Sequence, residues 1–163
     1  MDAISLAMTF KENGEELLKM IEAWKYFNET EVIVGITEES NSDRGSVNNA
    51  ELLYLHECGV PSHNIPPRPV LKPAIAQPEV AESIKTMMSE GMKAALVHGD
   101  KEACGQYYER AGMLGRDACK DYIAGGVPPP NAPSTIRRKG SSLPLVDTGS
   151  MMNSITYAVR KKK

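Results

Sequence analysis

The sequence has few of the residues that would tie a protein to an oxidising compartment, a membrane or a nucleic-acid surface. Its three cysteines are odd in number and widely spaced, which predicts reduced thiols in a cytoplasmic setting rather than a disulfide framework. No apolar run approaches the ~20 residues that span a bilayer, and the N-terminus lacks the basic-then-apolar pattern of a secretory signal. The formal charge of −2 argues against a general nucleic-acid binder, because such domains are usually basic.

Motifs of the common enzyme classes are also missing. We find no glycine-rich phosphate loop, nucleophile elbow or paired-carboxylate arrangement. His56 and Cys58 resemble a pair of metal ligands, but residues i and i+2 of a helix face apart, and no second ligand pair lies at metal-site spacing. His63 and His98 are isolated. We therefore expect no metal, no cofactor and no enzyme activity.

Apolar spacing predicts an α+β fold in a single domain that covers residues 1–163. A period of two predicts strands near residues 3–10, 31–37 and 153–160. The middle segment is rich in β-branched residues and is the clearest of the three. These strands are expected to form a small, mainly antiparallel sheet. Gly35 within the middle strand indicates a bulge or a close backbone approach.

A period near 3.6 predicts helices on the flanks of this sheet. They are expected near residues 13–27 and 46–58, followed by a long antiparallel helical hairpin of residues 79–98 and 101–124. Residues of N-cap type precede these segments. They are Asn13, Ser46 and Asp100.

Small residues recur in the second helix of the predicted hairpin. Gly105, Gly112 and Gly115 each weaken a helix by roughly 1 kcal/mol relative to Ala, so we expect them to allow close packing against the preceding helix. Cys104 and Cys119 follow the apolar stripe of the same helix and are predicted to be small core residues.

Two proline-rich segments fix the direction of the backbone. Residues 65–71 (IPPRPVL) and the extended arm of residues 126–146 have restricted φ angles and few N–H groups. A connection of this length without secondary structure is unusual inside a compact domain and is often functional. Both segments are therefore expected to contribute to subunit contacts. The candidate contact residues are Pro66, Pro67, Arg68, Pro69, Pro128, Pro129, Pro130, Arg137 and Arg138. Pro66 to Pro69 also fit the PxxP spacing of an SH3-type ligand, but the flanking apolar residues favour an ordered connector.

Residues 146–150 (VDTGS) match the signature around the catalytic aspartate of aspartic proteases. Two such aspartates share a proton in those enzymes, and a short chain would have to dimerise to supply the second one. Only fourteen residues follow Gly149, too few for the flap and closing strands that such an enzyme needs. The favoured interpretation is structural: Asp147 caps a short helix, and Thr148 and Gly149 form a tight turn.

The C-terminus carries a run of basic residues that could contact nucleic acid or an acidic partner, although most such runs only aid solubility. They are Arg160, Lys161, Lys162 and Lys163.

The order of these pieces resembles that of the virion-morphogenesis proteins of long-tailed bacteriophages, the neck and tail-completion group. The matching pieces, in chain order, are residues 32–36 (VIVGI), 54–59 (YLHECG), 65–71 (close to the family's IPARPFL), 128–130, 134–135, 139–140, 144–149 (PLVDTG), 152 and 154–156. Cys58 and Val70 depart from the phenylalanines that the family favours at those places.

The resemblance implies a structural virion protein without enzyme activity or cofactor. Copies of such a protein form a ring of six or twelve subunits at the head–tail junction, which completes the tail or joins it to the head. Its implied partners are the head–tail connector, the tail terminator and the tube or sheath proteins, with packaged DNA in the channel and no membrane. A tail-terminator or head-closure role is the nearest alternative. Alternatives of other classes are the aspartic protease and a host-side adaptor.

Overall fold

The computed structural model describes residues 3–43 and 45–162, with side chains from Gly14 onward. These residues form seven α-helices, one 3-10 turn and one antiparallel pair of strands, β1 and β2, so the predicted α+β class is confirmed. The elements are α1 (Ala3–Glu29), β1 (Thr30–Gly35), α2 (Asn49–Cys58), the 3-10 turn Pro61–His63, α3 (Leu71–Ile75), α4 (Pro78–His98), α5 (Lys101–Ala124), α6 (Pro133–Lys139), α7 (Ser150–Ser154) and β2 (Thr156–Lys161).

The predicted strand at residues 3–10 is wrong, because these residues form the start of α1. The segment alternates in polarity, but it is rich in alanine, leucine and methionine, which are strong helix formers. It also runs without a break into the helical pattern that follows. Asn13 therefore lies within the helix and does not begin it. The sheet has two strands among the described residues, where three were expected.

Contacts within the chain define two compact units. The first contains α1, the first half of β1, most of α4, the first part of α5 and the second half of β2. Its core is made of small side chains, with Ala23, Ala95 and Cys104 fully buried. Tyr108 packs beside them and donates a hydrogen bond from its hydroxyl to the carbonyl of Phe27 at 2.7 Å. Burial, with smaller contributions from Cys104 and Tyr26, raises the pKa of Tyr108 to about 12, so this hydroxyl stays a donor.

The second unit contains the second half of β1, the first half of β2, helices α2, α3, α6 and α7, the start of α4 and the second part of α5. Its core is larger and more apolar than that of the first unit. The buried residues are Leu53, Val70, Ala74, Cys119, Ile123, Val127, Met151 and Ile155. Burial, and to a lesser extent Glu57, raises the pKa of Cys119 to about 11. The predicted core positions of Cys104 and Cys119 are therefore confirmed, and Cys58 is exposed.

The predicted helical hairpin is confirmed as α4 and α5. Asp100 caps α5 as expected, since its Oδ1 accepts the N–H of Ala103 at 2.8 Å. The capping residue of α2 was misplaced. Asn48 takes that role, because its side chain accepts the N–H of Glu51 at 2.9 Å while Glu51 accepts the N–H of Asn48 at 3.0 Å. This reciprocal capping box requires the Asn–x–x–Glu spacing, which Ser46 does not have.

The glycines of α5 allow close packing, but against other partners than the preceding helix. A Cβ atom at Gly105 would lie 3.1 Å from the hydroxyl of Tyr26, and one at Gly115 would lie 2.9 Å from Val34. At Gly112 it would lie 2.8 Å from Cγ of Tyr157 and closer still to the ring edge. Gly35 has no close backbone approach, one of the two readings expected for it, because a Cβ atom there would have no neighbour within 4 Å.

The predicted extended arm contains a short helix, α6. Pro133 stands at its N-terminus, where a missing N–H costs nothing, and Gly140 ends it with a φ of 70°. These signals outweigh the prolines that precede the helix. The predicted cap of α7 is also wrong: Gly149, with a φ of 80°, occupies the N-cap position in place of Asp147. The tight turn expected at Gly149 has the left-handed backbone that glycine favours.

The basic C-terminal run continues a strand, where a separate tail was expected. Arg160 and Lys161 belong to β2. The Nε atom of Arg160 lies 2.9 Å from a carboxylate oxygen of Glu31. Lys162 donates its backbone N–H to the carbonyl of Glu29 and its ammonium group to the carbonyl of Asn28, both at 2.7 Å. Lys163 lies outside the described residues.

Candidate functional site

Arg68 connects the two proline-rich segments within the second unit. Its side chain is 8% exposed, and it donates hydrogen bonds from Nε to the carbonyl of Pro129 at 2.8 Å and from Nη2 to the carbonyl of Pro130 at 3.2 Å. The planar guanidinium group suits two neighbouring acceptors at once. Residues 128–130 belong to no helix or strand, so their carbonyls are available to the guanidinium group. Arg68 thus holds residues 65–71 against residues 128–130.

Helix α2 holds the other side of residues 65–71. The N–H of Arg68 donates to the carbonyl of His56 at 2.6 Å. One carboxylate oxygen of Glu57 accepts the N–H groups of Val70 and Leu71 at 2.7 and 2.8 Å. Glu57 therefore satisfies N–H groups at the start of α3 that have no partner within the helix. Sequence reasoning missed Glu57, because it lies thirteen residues before its partner Val70 and no local spacing marks it.

A pocket of about 760 Å³ lies beside this clamp. We call it the basic pocket. Its walls combine apolar side chains, among them Leu52, Ile65 and Leu145, with polar groups. Its ionisable residues are His56, Arg68, Arg138, Lys139 and Asp147. Three basic side chains, Arg68, Arg138 and Lys139, therefore line the pocket with one carboxylate, in a chain whose formal net charge is −2.

Burial is the largest cause of the pKa shifts of two pocket residues, and neighbouring cations add to it. Burial lowers the pKa of His56, and Arg68 and Lys139 lower it further. Its buried Nδ1 atom has no hydrogen-bond partner in the described part of the chain. Burial also lowers the pKa of Lys139; Asp147 opposes this shift, whereas Arg68 and Arg138 add to it. A pocket with these properties favours an anionic group, because such a group would relieve the repulsion among the cations.

The structure brings together only some of the residues singled out from the sequence. Pro66, Arg68, Pro130, Arg138 and Asp147 line the basic pocket. The other candidates lie elsewhere: Pro67, Pro69, Pro128, Pro129 and Arg137 are exposed and do not line it. The expected turn is present, since the Oγ1 atom of Thr148 accepts the N–H of Ser150 at 3.3 Å.

Asp147 lies beside cations rather than beside a second aspartate. It is the single carboxylate among the described lining residues, and its charge acts on Lys139. An aspartic protease needs two carboxylates that share a proton. A second copy of the chain would have to place its own Asp147 into this pocket to supply one.

The residues that the structure describes include no group of three or more His, Cys, Asp or Glu side chains placed to hold a metal ion. His56 lines the basic pocket, whereas Cys58 on the same helix is exposed. No helix described here combines the length and apolar character needed to cross a bilayer.

Comparisons with family models, with curated proteins and with solved structures found no match. The resemblance to phage morphogenesis proteins therefore stays a prediction.

Proposed function

We propose that this protein is a structural component of the neck of a long-tailed bacteriophage. Copies of the chain form a ring of six or twelve subunits that completes the tail or joins it to the head. The observation that supports this proposal best is the clamp at Arg68, which holds residues 65–71 against residues 128–130 while five prolines of these two stretches stay exposed. Rigid, donor-poor surfaces lose little entropy when they dock, so they suit a part that must fit neighbouring rings.

The proposed partners are further copies of the chain, the head–tail connector, the tail terminator and the tube or sheath proteins. The protein acts in the virion after assembly in the host cytoplasm. A tail-terminator or head-closure role in the same region is the alternative assignment. The basic residues at the end of β2 remain a proposed contact for DNA or an acidic partner, with exposed Lys161 free of the pairings that Arg160 and Lys162 make.

Reconstitution tests the proposal directly. Purified protein is mixed separately with tail tubes and with connector rings, and the products are imaged by electron microscopy. We expect a ring of added density at the end of the tail or on the connector. A high-resolution virion map that places the protein away from the neck, or virions that lack it, would overturn the assignment.

A further inference from the structure

The basic pocket contains a buried guanidinium group that the clamp holds in place. Arg68 is 8% exposed and lines the pocket. Its hydrogen bonds to the carbonyls of Pro129 and Pro130 use two of the five N–H donors of a guanidinium group. Further donors of the same group therefore remain for a ligand. A cation that is already fixed binds an anion with little additional loss of side-chain entropy.

Helix α6 brings two further basic side chains to the pocket. Arg138 and Lys139 belong to the last turn of this helix, and both line the pocket. The ammonium group of Lys139 donates to the carbonyl of Leu143 at 3.2 Å, so this side chain is also held by the backbone. Burial lowers the pKa of Lys139, and Arg68 and Arg138 lower it further. The charges of both arginines therefore reach the ammonium group, and the three basic groups form one cluster.

The charges of the lining residues indicate the charge of a ligand. Both arginines stay charged at neutral pH, and Lys139 adds a third positive charge when it is protonated. Burial, Arg68 and Lys139 lower the pKa of His56 from 6.5, so its imidazole is neutral at pH 7 and above. Asp147 is the single carboxylate among the described lining residues. A ligand with two negative charges balances the remainder, whereas a ligand with one does not.

The size and the apolar walls of the pocket indicate what carries these two charges. A volume of about 760 Å³ lies within the range of about 300–1,000 Å³ that is typical of small-molecule sites. Leu52, Ile65 and Leu145 give the pocket apolar surface beside its basic groups. The matching ligand has a compact dianionic group and an apolar body. A phosphate monoester has both, since its second pKa is about 6 and its phosphoryl group offers three acceptor oxygens.

We propose that the basic pocket binds a phosphate monoester whose organic group is apolar or aromatic. The phosphoryl oxygens accept hydrogen bonds from the guanidinium groups of Arg68 and Arg138 and from the ammonium group of Lys139, a geometry that arginine in particular favours. The organic group contacts the apolar walls. The site belongs to the isolated chain, so the inference does not depend on the proposed neck function.

A series of matched small anions tests the ligand class on the full-length protein. Phenyl phosphate is titrated calorimetrically at a pH of about 7.5, where a monoester is mainly dianionic. Phenyl sulfate has the same shape with one charge fewer, and inorganic phosphate lacks the ring. Diethyl phosphate represents the diester of a nucleic-acid backbone, and glutarate offers two separate carboxylates. We expect phenyl phosphate to bind about tenfold or more tightly than each of the others, because it alone combines a compact dianion with a ring.

Variants of the full-length protein place the ligand in the pocket. Arg138→Gln should weaken the binding of phenyl phosphate by about tenfold or more. Arg137→Gln is the matched control, because Arg137 is the neighbouring exposed arginine and does not line the pocket. Asp147→Asn removes the carboxylate that competes with the ligand and should tighten binding, a gain that a misfolded variant could not give. Circular dichroism confirms that each variant is folded.

His56 supplies a local signal for the same experiment. Phenyl phosphate should shift the imidazole resonances of His56 in an NMR titration and raise its pKa, because a nearby dianion favours the protonated ring. His98 lies in the first unit and should not respond. The His56→Gln variant assigns the resonances.

Any of four results would overturn the inference. Phenyl phosphate fails to bind, or another anion of the series binds as tightly. Arg138→Gln keeps the affinity of wild type, or folded Asp147→Asn binds more weakly than wild type. The third is a saturating titration that leaves the resonances of His56 unchanged, and the fourth is an equal loss of affinity in Arg137→Gln and Arg138→Gln. The proposed function is tested separately, since a protein found away from the neck can still bind phenyl phosphate, and a neck protein can fail to bind it.

Discussion

At the scale of single residues, Arg68 holds the two proline-rich segments together. Arg68→Ala removes two hydrogen bonds made by a buried charge and leaves two carbonyls without their donor. Hydrogen bonds to charged groups contribute about 1.5–3 kcal/mol each, and part of this is recovered when water reaches the carbonyls. We expect the free energy of unfolding to fall by about 3 kcal/mol, measured by denaturant titration. Arg137→Ala, at an exposed arginine, should stay within about 0.5 kcal/mol of wild type. Equal effects of the two substitutions would mean that the clamp contributes little.

His56 should make stability depend on pH. Its pKa in the folded protein is lowered from 6.5 by burial and by Arg68 and Lys139. The unfolded chain therefore binds a proton at this residue more readily than the folded protein does. The free energy of unfolding falls as the pH drops below 6.5, and the fall ends once the pH is below the pKa of His56 in the folded protein.

Substitution isolates the contribution of His56. The free energy of unfolding is measured at a pH above 6.5 and at a pH below the pKa of His56 in the folded protein. The fall between the two should be smaller in His56→Gln than in wild type. Because other groups titrate in the same range, only the difference between the two proteins is attributed to His56. An identical loss in both would show that His56 does not cause the dependence.

The sequence predicted the important segments more reliably than it predicted the contacts of single side chains. Arg68, Arg138 and Asp147 were singled out, and all three line one pocket. Their partners could not be read from the sequence, because Arg68 lies about sixty residues from the carbonyls it binds. Asp147 illustrates the same limit: the helix it was expected to cap begins after Gly149, and the side chain lies in the basic pocket beside Lys139.

At the scale of elements, two glycines in helices should respond to alanine with opposite signs. Alanine stabilises a helix interior by about 1 kcal/mol relative to glycine. At Gly14 a Cβ atom would have no neighbour within 4 Å, so this gain should appear in full. At Gly112 the same atom would overlap the ring of Tyr157, so α5 and β2 would have to separate.

Thermal unfolding measures both effects. The Gly14→Ala variant should unfold at a higher temperature than wild type, and Gly112→Ala at a lower one. Overpacking of this kind typically costs about 1–3 kcal/mol, which outweighs the gain in helix propensity. A stabilised Gly112→Ala variant would show that Tyr157 can move aside freely.

Elements with strong local signals were predictable. The hairpin of α4 and α5 has a long apolar period and a capping aspartate, and β1 has a run of β-branched residues. The start of α1 was missed because alternation over a few positions imitates a strand. Helix α6 was missed because neighbouring prolines indicated extended chain, although Pro133 and Gly140 mark its two ends.

At the scale of the whole molecule, the exposed prolines should matter for assembly more than for folding. Pro67 and Pro69 are exposed, whereas Arg68 between them is buried. Replacing all three residues would therefore unfold the clamp and confuse the two effects. Pro67→Ser combined with Pro69→Ser leaves Arg68 in place, and the loss of proline stiffness should cost at most about 1 kcal/mol per site.

We expect this double variant to fold as a monomer and to fail in joining heads to tails. Its docking surface would lose rigidity, and the entropy lost on binding would rise. The yield of joined particles in a reconstituted mixture measures the effect, with circular dichroism as the test of folding. Pro61→Ser supplies the control, because Pro61 is an exposed proline outside both proline-rich segments. If the double variant Pro67→Ser, Pro69→Ser gives the same yield of joined particles as wild type and as the Pro61→Ser control, Pro67 and Pro69 do not form the docking surface. The clamp at Arg68 would then serve stability alone.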